Sequence, residues 1–350
     1  MSSILTLQKR KEAFKLLGDY LLSNNEQLGH LVQTAHYYNG WFTPAETDRA
    51  LKGIGKMLNA GDLGRWLPEE DPQANKSPLK VGLILAGNIP VVGFHDILCV
   101  LASGNIALIK LSSQDNKLMP HILNKLTELE PGFTGLIRYT ERLEGFDAII
   151  ATGSNNTSRY FEYYFGKVPH IIRKNRNSAA VITGTESPQQ LHALGNDLFS
   201  YYGLGCRNVS KLYVPAGYVF NDFFAAIESY KNIADNHKYN NNYDYNKSIF
   251  LINGEHHLDN GFLLVKQDSR LASALAVVHY EEYESITKLE NELAGQSEDI
   301  QCIVCSDSLK LNITNQQVDF GESQSPALWD YADGTDTMEF LTSLQTKPAN

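Results

Sequence analysis

The sequence predicts an α/β protein: an N-terminal helical segment followed by two successive units, each built on a mostly parallel sheet. Three observations carry this. Apolar residues recur at helical spacing through residues 4–66. From position 81 onward, short apolar runs rich in Val, Ile and Leu alternate with helical patterns, which implies parallel strands joined by crossover helices that cover both faces of a sheet. Finally, 350 residues at 43% hydrophobic content are enough chain to bury one or two substantial cores.

The elements follow in order. Two or three helices are expected before position 66, one of them starting at Thr43-Pro44, because threonine can cap a helix and proline suits its first position. The polar, proline-bearing segment at 67–78 reads as a linker into the strand VGLILAG at 81–87, which ends in glycine. Then come a helix, the strand NIALIKL (105–111) with Lys110 near its end, a helix over 114–128, strands at 135–139 and 146–154, and a helix over 155–165. Further strands are predicted at 178–183, 211–215, 248–252, 262–267, 275–280 and 300–306, with the Tyr- and Asn-rich tract 237–247 as a loop. The boundaries drawn from this reading are 1–173 for the helices plus a first α/β domain, 174–325 for a second domain, and 326–350 for a C-terminal segment.

Charge and composition exclude several classes of function. A formal net charge of −10 argues against a nucleic-acid or anionic-membrane binder. Four cysteines in 350 residues are no disulfide framework. The start MSSILTLQKRKEAFKLLGDYLL has charges inside its apolar pattern and no signal-peptide core, so a cytoplasmic location with reduced thiols is expected. The apolar run 91–109 is long enough to span a membrane, but His95, Asp96, Ser103, Gly104 and Asn105 would be costly in lipid. Cys302 and Cys305 have C-x-x-C spacing within one strand, lack a second pair, and are expected on opposite faces, so no metal site is expected there.

Candidate chemistry sits at strand ends, where ligands bind in open parallel sheets. The turn Ala86 to Pro90 offers close backbone approach at Gly87 and a side-chain amide at Asn88; Lys110 ends an apolar strand; Gly153 and Ser154 join a strand to a helix N-terminus, a setting that favours phosphates. There is no G-x-G-x-x-G. Later, Cys206 lies between Gly205 and Arg207 just ahead of a strand. Taken alone, a free cysteine is more often a small buried residue than a nucleophile.

The ordered set resembles the aldehyde dehydrogenase superfamily. VGLILAGNIPVVGFHDILCVLASGNIALIKLSSQD is similar to its cofactor-binding core, FDAIIATGSNNTSRYF to its F-T-G-S turn, IRKNRNSAAVI to its E-L-G-G-K linker, and GLGCRNVSKLYVP to its nucleophile segment. GCRNVSKLYVP, NGWFTPAETDRAL and SPALWDYADGTDTMEFL look most like the acyl-CoA reductases related to the fatty acid reductase of bioluminescence, the LuxC-like family. The resemblance implies two Rossmann-like α/β domains behind the N-terminal helices. It implies Cys206 as nucleophile, with its own N–H and the Asn88 amide holding the oxyanion. Lys110 would bind the adenosine ribose, Gly153 and Ser154 would lie against the nicotinamide end and phosphates, and Leu85 and Ala86 would line the floor.

Two departures from the superfamily pattern refine the expectation. Arg173 stands where hydrolytic relatives carry the glutamate that activates water, which favours acyl exchange with a thiol over hydrolysis. Ser113 replaces a ribose-binding glutamate, which favours NADPH, with NADH as the alternative. The expected reaction is NAD(P)H-dependent reduction of an acyl-CoA or other acyl thioester to the aldehyde. Reduction of an acyl phosphate, a cofactor-independent cysteine thioesterase and a non-enzymatic relative that only binds stay open. The resemblance also implies a homo-oligomer and a partner protein that exchanges acyl groups.

Overall fold

The computed structural model of the chain describes residues 5–71, 77–153 and 155–344. They divide into two compact units, Met1–Asn175 with Ala327–Asn350, and Arg176–Pro326.

The first unit opens with helices α1 (Leu7–Leu22), α2 (Glu26–Thr34), α3 (Pro44–Met57) and α4 (Ala60–Trp66), where the sequence suggested two or three. Their starts are set locally. Thr6, Asn25 and Asn59 each turn a side-chain oxygen onto a free helix N–H, and Pro44 occupies the first position of α3. Leu7, Phe14, Leu17 and Leu21 put one buried stripe on α1, which packs on α3.

Next come β1 (Lys80–Ile84), α5 (Phe94–Ala102), β2 (Ile106–Lys110), α6 (Leu118–Leu129), β3 (Ile137–Tyr139), β4 (Ala148–Thr152), α7 (Asn155–Phe165) and β5 (His170–Arg173). The strands form one parallel sheet in the order β3-β2-β1-β4-β5. This is the order of five of the six strands of a doubly wound α/β fold, and it reverses between β1 and β4. The apolar run 91–109 resolves into a turn, α5 and β2, and no helix among the described residues is long and apolar enough to cross a membrane.

In the second unit β6 (Asn177–Val181), α8 (Pro188–Phe199), β7 (Val209–Pro215), α9 (Asn221–Ile227), α10 (His237–Asn253), β8 (Leu258–Asp259), β9 (Leu264–Gln267), β10 (Val277–Tyr283), α11 (Ile286–Gly295), β11 (Ile300–Val304) and β12 (Gln316–Val318) follow. Seven strands pair in the order β12-β11-β6-β7-β10-β9-β8, all parallel except the short β8/β9 pair. Side chains alternate across this sheet. Leu212 and Val214 join the core with α8 and α9, while Tyr213 between them joins the core on the other face with α11. After this unit the chain returns to the first one with α12 (Thr337–Ser343), which packs on α5.

Two expectations are corrected here. The tract 237–247 is not a loop and 248–252 is not a strand; both lie in α10. Asn236 caps the helix through its side chain, Gly254 ends it in the left-handed conformation, and Tyr239, Tyr243, Asn246 and Phe250 supply a buried stripe at helical spacing. The stripe is made of tyrosine, asparagine and phenylalanine, so a hydrophobic pattern search passes over it. The segment IRKNRNSAAVI (172–182), read as a linker, starts inside β5, the edge strand of the first sheet, and runs through β6 of the second.

Candidate active site

In the first unit, β2, β1 and β4 are neighbours, and the register places their carboxyl ends side by side: Ile84 pairs with Lys110 on one flank and with Ala151 on the other. The three motif-bearing strand ends thus line one edge at the switch point, about 10 Å across for two strand spacings. Leu85 is buried and donates its N–H to the Lys110 carbonyl (3.2 Å). Ala86 and Asn88 are half-buried in the turn that follows, and Lys110 is exposed.

Glycine is required at two points along this edge. A Cβ on Gly87 would stand 2.4 Å from Ser112 Oγ, and one on Gly153 would stand 2.9 Å from Phe161 Cε2 and 3.0 Å from Thr157 Cβ. Backbone is therefore brought close to neighbouring loops and to the first turn of α7, where phosphate oxygens would find N–H donors. The turn after β1 is further fixed by Asp115, whose carboxylate accepts the Val91 N–H (2.8 Å), with Val91 itself in the left-handed region (φ 54°). Ser154 lies outside the described residues. Lys110 and Ser113 are both exposed at this edge.

Arg173, at the end of β5, is buried in the first unit rather than offered to solvent. Its guanidinium makes a two-pronged pair with Asp96 of α5 (2.7 and 3.1 Å) and donates to the Ala332 carbonyl (2.6 Å) and to Thr337 Oγ1 (2.9 Å). Burial works against its charge, but Asp96 overrides that and holds the guanidinium above its ordinary value. His95, on the same helix as Asp96, is half-buried beside Trp66 and Tyr331, and its desolvation lowers its pKa.

In the second unit Cys206 is exposed, whereas Cys99, Cys302 and Cys305 are buried. Burial pushes the Cys99 thiol well up and the Cys305 thiol up to about 11, which leaves both inert as nucleophiles. The backbone entering Cys206 is unusual: Tyr201, Tyr202 and Gly203 all have positive φ (52°, 59°, 77°). Two non-glycine residues in that region cost about 1 kcal/mol or more each, and such strain persists where its surroundings over-determine it.

The surroundings do so at every flank of Cys206. Asn208 accepts the Gly205 N–H (2.8 Å) and donates to the carbonyls of Asp197 (3.0 Å) and Ser200 (2.9 Å). Ser178 Oγ, from β6, donates to the Cys206 carbonyl (3.0 Å). Arg207 donates to the Ser323 carbonyl (2.5 Å) and to Gln316 Oε1 (2.7 Å). The two cations near Cys206 in sequence are thereby committed: Arg207 as described, and Lys211 to the Asp268 carbonyl and to Glu281 (both 2.6 Å) within the sheet.

Sequence reasoning missed Asn208, Ser178, Asp197 and Ser323. Asn208 stands two residues past the cysteine and could have been singled out as a local turn former; the other three act across the fold and carry no local signal.

Residues 46–161 match the family model of acyl-CoA reductase (LuxC). No curated protein matches the chain. Among solved structures, aldehyde dehydrogenase 21 of Physcomitrella patens, in complex with the reaction product succinate, is similar with a TM-score of 0.67 at 13% identity, over 98% of this chain and 85% of that one. A betaine aldehyde dehydrogenase double mutant of Staphylococcus aureus, with NAD+ and a BME-modified cysteine, gives 0.63 at 15% identity, over 90% and 77%. A mutant indole-3-acetaldehyde dehydrogenase of P. syringae, in complex with NAD+ and IAA, gives 0.62 at 13%, over 91% and 77%.

Proposed function

We propose, from the premise of an aldehyde dehydrogenase fold that carries an acyl-CoA reductase (LuxC) segment at residues 46–161, that the protein reduces an acyl-CoA thioester to the aldehyde, with Cys206 as nucleophile. The observation that carries this is the setting of Cys206, the exposed one of four thiols, on a backbone anchored at both its flanks.

Cys206, as the thiolate, attacks the acyl carbonyl; the C–S bond to CoA breaks, CoA leaves as its own thiolate, and the acyl group remains on Cys206 as a thioester. The Cys206 N–H would donate to the oxyanion that forms on attack and again on reduction, with the Asn88 amide as the second donor that the family resemblance implies. A reduced nicotinamide, when bound, would supply the hydride that takes the acyl carbon to the aldehyde level. Collapse of the resulting oxyanion expels the Cys206 thiolate and releases the aldehyde, which returns the enzyme to its starting state.

Leu85, Ala86, Lys110, Gly153 and Ser154 would hold the dinucleotide. A lysine with a small neutral neighbour at Ser113 accommodates a 2′-phosphate, which favours NADPH over NADH. With a buried arginine at position 173 in place of a carboxylate, no base stands there to direct water onto the thioester, so the acyl group waits for hydride.

The test is a panel of acyl-CoA esters with NADPH or NADH, following loss of absorbance of the reduced cofactor, together with intact-mass detection of the acyl adduct on Cys206. Cys206→Ala abolishes turnover and adduct while cofactor binding persists. Turnover that survives in Cys206→Ala, or CoA release without consumption of reduced cofactor, overturns the reading.

A further inference from the structure

Asp197, near the end of α8, is fully buried, and nothing in the reaction above calls on it. Its carboxylate accepts the backbone N–H groups of Gly321 (2.6 Å) and Ser323 (2.9 Å). Those bonds fix the turn whose Ser323 carbonyl receives Arg207, the residue after the nucleophile. The Asp197 main-chain carbonyl meanwhile receives Asn208, whose side chain holds the N–H of Gly205, the residue before the nucleophile. One residue therefore underlies both flanks of Cys206, through two separate chains of contacts.

We infer that Asp197 is a positioning residue for Cys206, acting through the 321–323 turn and Arg207 on one side while its backbone supports Asn208 on the other. The inference rests on the reading of Cys206 as nucleophile. A carboxylate is the acceptor that can take two convergent N–H donors at full strength, and charge-assisted bonds of this kind are roughly twice as strong as neutral ones. Burial pushes the Asp197 carboxyl up to about 6, with the Glu322 charge acting in the same direction and hydrogen bonds from Gly321 and from the side chain and backbone of Ser323 opposing. The fold thus keeps a charge in a place that disfavours it, and the rigidity it gives the turn beside the nucleophile is the return. Displacement of a reacting atom by about 1 Å costs on the order of 100-fold in rate, so the clamp bears on turnover rather than on cofactor affinity.

The test compares the full-length protein with Asp197→Asn, Arg207→Met and the double variant, by steady-state kinetics and by hydrogen exchange read on peptides spanning 204–210 and 318–326. Asp197→Asn is expected to speed exchange about tenfold in both peptides, an opening made easier by one weakened tether. It is also expected to lower kcat about 10–100-fold while KM for the cofactor stays within about twofold. The double variant is no worse than the poorer single one, because both substitutions cut the same chain.

Faster exchange at 318–326 alone, with 204–210 and kcat unchanged, overturns the inference and leaves Asp197 a structural tether of its own turn. Losses that multiply in the double variant overturn it as well. If Asp197→Asn does not fold, Arg207→Met and Arg207→Lys decide: Met loosens 204–210 and lowers kcat, Lys restores part of both, and wild-type behaviour of Met refutes the clamp. Should the wild type itself reduce no acyl-CoA, the reading of Cys206 fails, while the exchange data still show whether Asp197 orders its segment.

Discussion

Arg173→Met removes a guanidinium that is 5% exposed and leaves Asp96, 9% exposed, with its charge in the interior. An uncompensated buried carboxylate costs about 3–5 kcal/mol. The Ala332 carbonyl, which accepts from Arg173 at 2.6 Å, loses its donor and adds about 1 kcal/mol. For a unit of about 200 residues at roughly 2–4 °C per kcal/mol, the unfolding midpoint of the first unit falls by roughly 10–20 °C. Thermal unfolding followed by circular dichroism reads the change. Asp96→Asn combined with Arg173→Met recovers a large part of the loss, since the more buried of the two carboxylates facing Arg173, Asp96 rather than Asp333, is then neutral. A midpoint for Arg173→Met within about 1 °C of wild type would refute the reasoning, because the pair would then be solvated and not structural.

Two more outcomes follow from buried charges in the second unit. Glu281→Ala strands the Lys211 ammonium, whose side chain is fully buried, and lowers stability in urea by about 3 kcal/mol, whereas Lys211→Met costs about 1 kcal/mol because Glu281, 33% exposed, can turn to water; equal losses would contradict this asymmetry. For Asp197 the folded-state value of about 6 lies above the ordinary carboxylate range, so the native state holds the proton more tightly and stability falls as pH rises from about 4 through 6. Relative to Asp197→Asn, wild type loses about 3 kcal/mol across that window, read as the difference between the two pH profiles of denaturation; a difference that runs the other way would sink the assignment.

Legibility in the sequence followed the range of the interactions. Strands β1, β2, β4, β7, β10 and β11 were readable because buried parallel strands are continuous apolar runs, and the break between β1 and α5 was marked by Gly87 and Pro90. The α10 helix was not, because its buried stripe is built from Tyr239, Tyr243 and Asn246, side chains whose polar ends find partners only in the folded chain. Lys110 and Gly153 stood out one at a time, but what makes them neighbours is strand order, a property of the whole sheet. Around Cys206 the sequence showed the nucleophile candidate and the glycines before it. The contacts from Ser178, Asp197 and Ser323 join positions up to 126 apart, and no local pattern announces them. Arg173 was visible as a departure at the expected position of a base; its burial against Asp96 was not.

The return of α12 to the first unit has a consequence for biosynthesis. Thr337 and Ala332, which receive Arg173, emerge from the ribosome only after all of residues 176–326 have been made, roughly 8–30 s later at ~5–20 residues per second. During that interval the nascent first unit holds the Arg173–Asp96 pair without the segment that closes over it, and the intervening unit, whose sheet is drawn wholly from its own stretch of chain, can finish first. The part translated earliest is thus completed last.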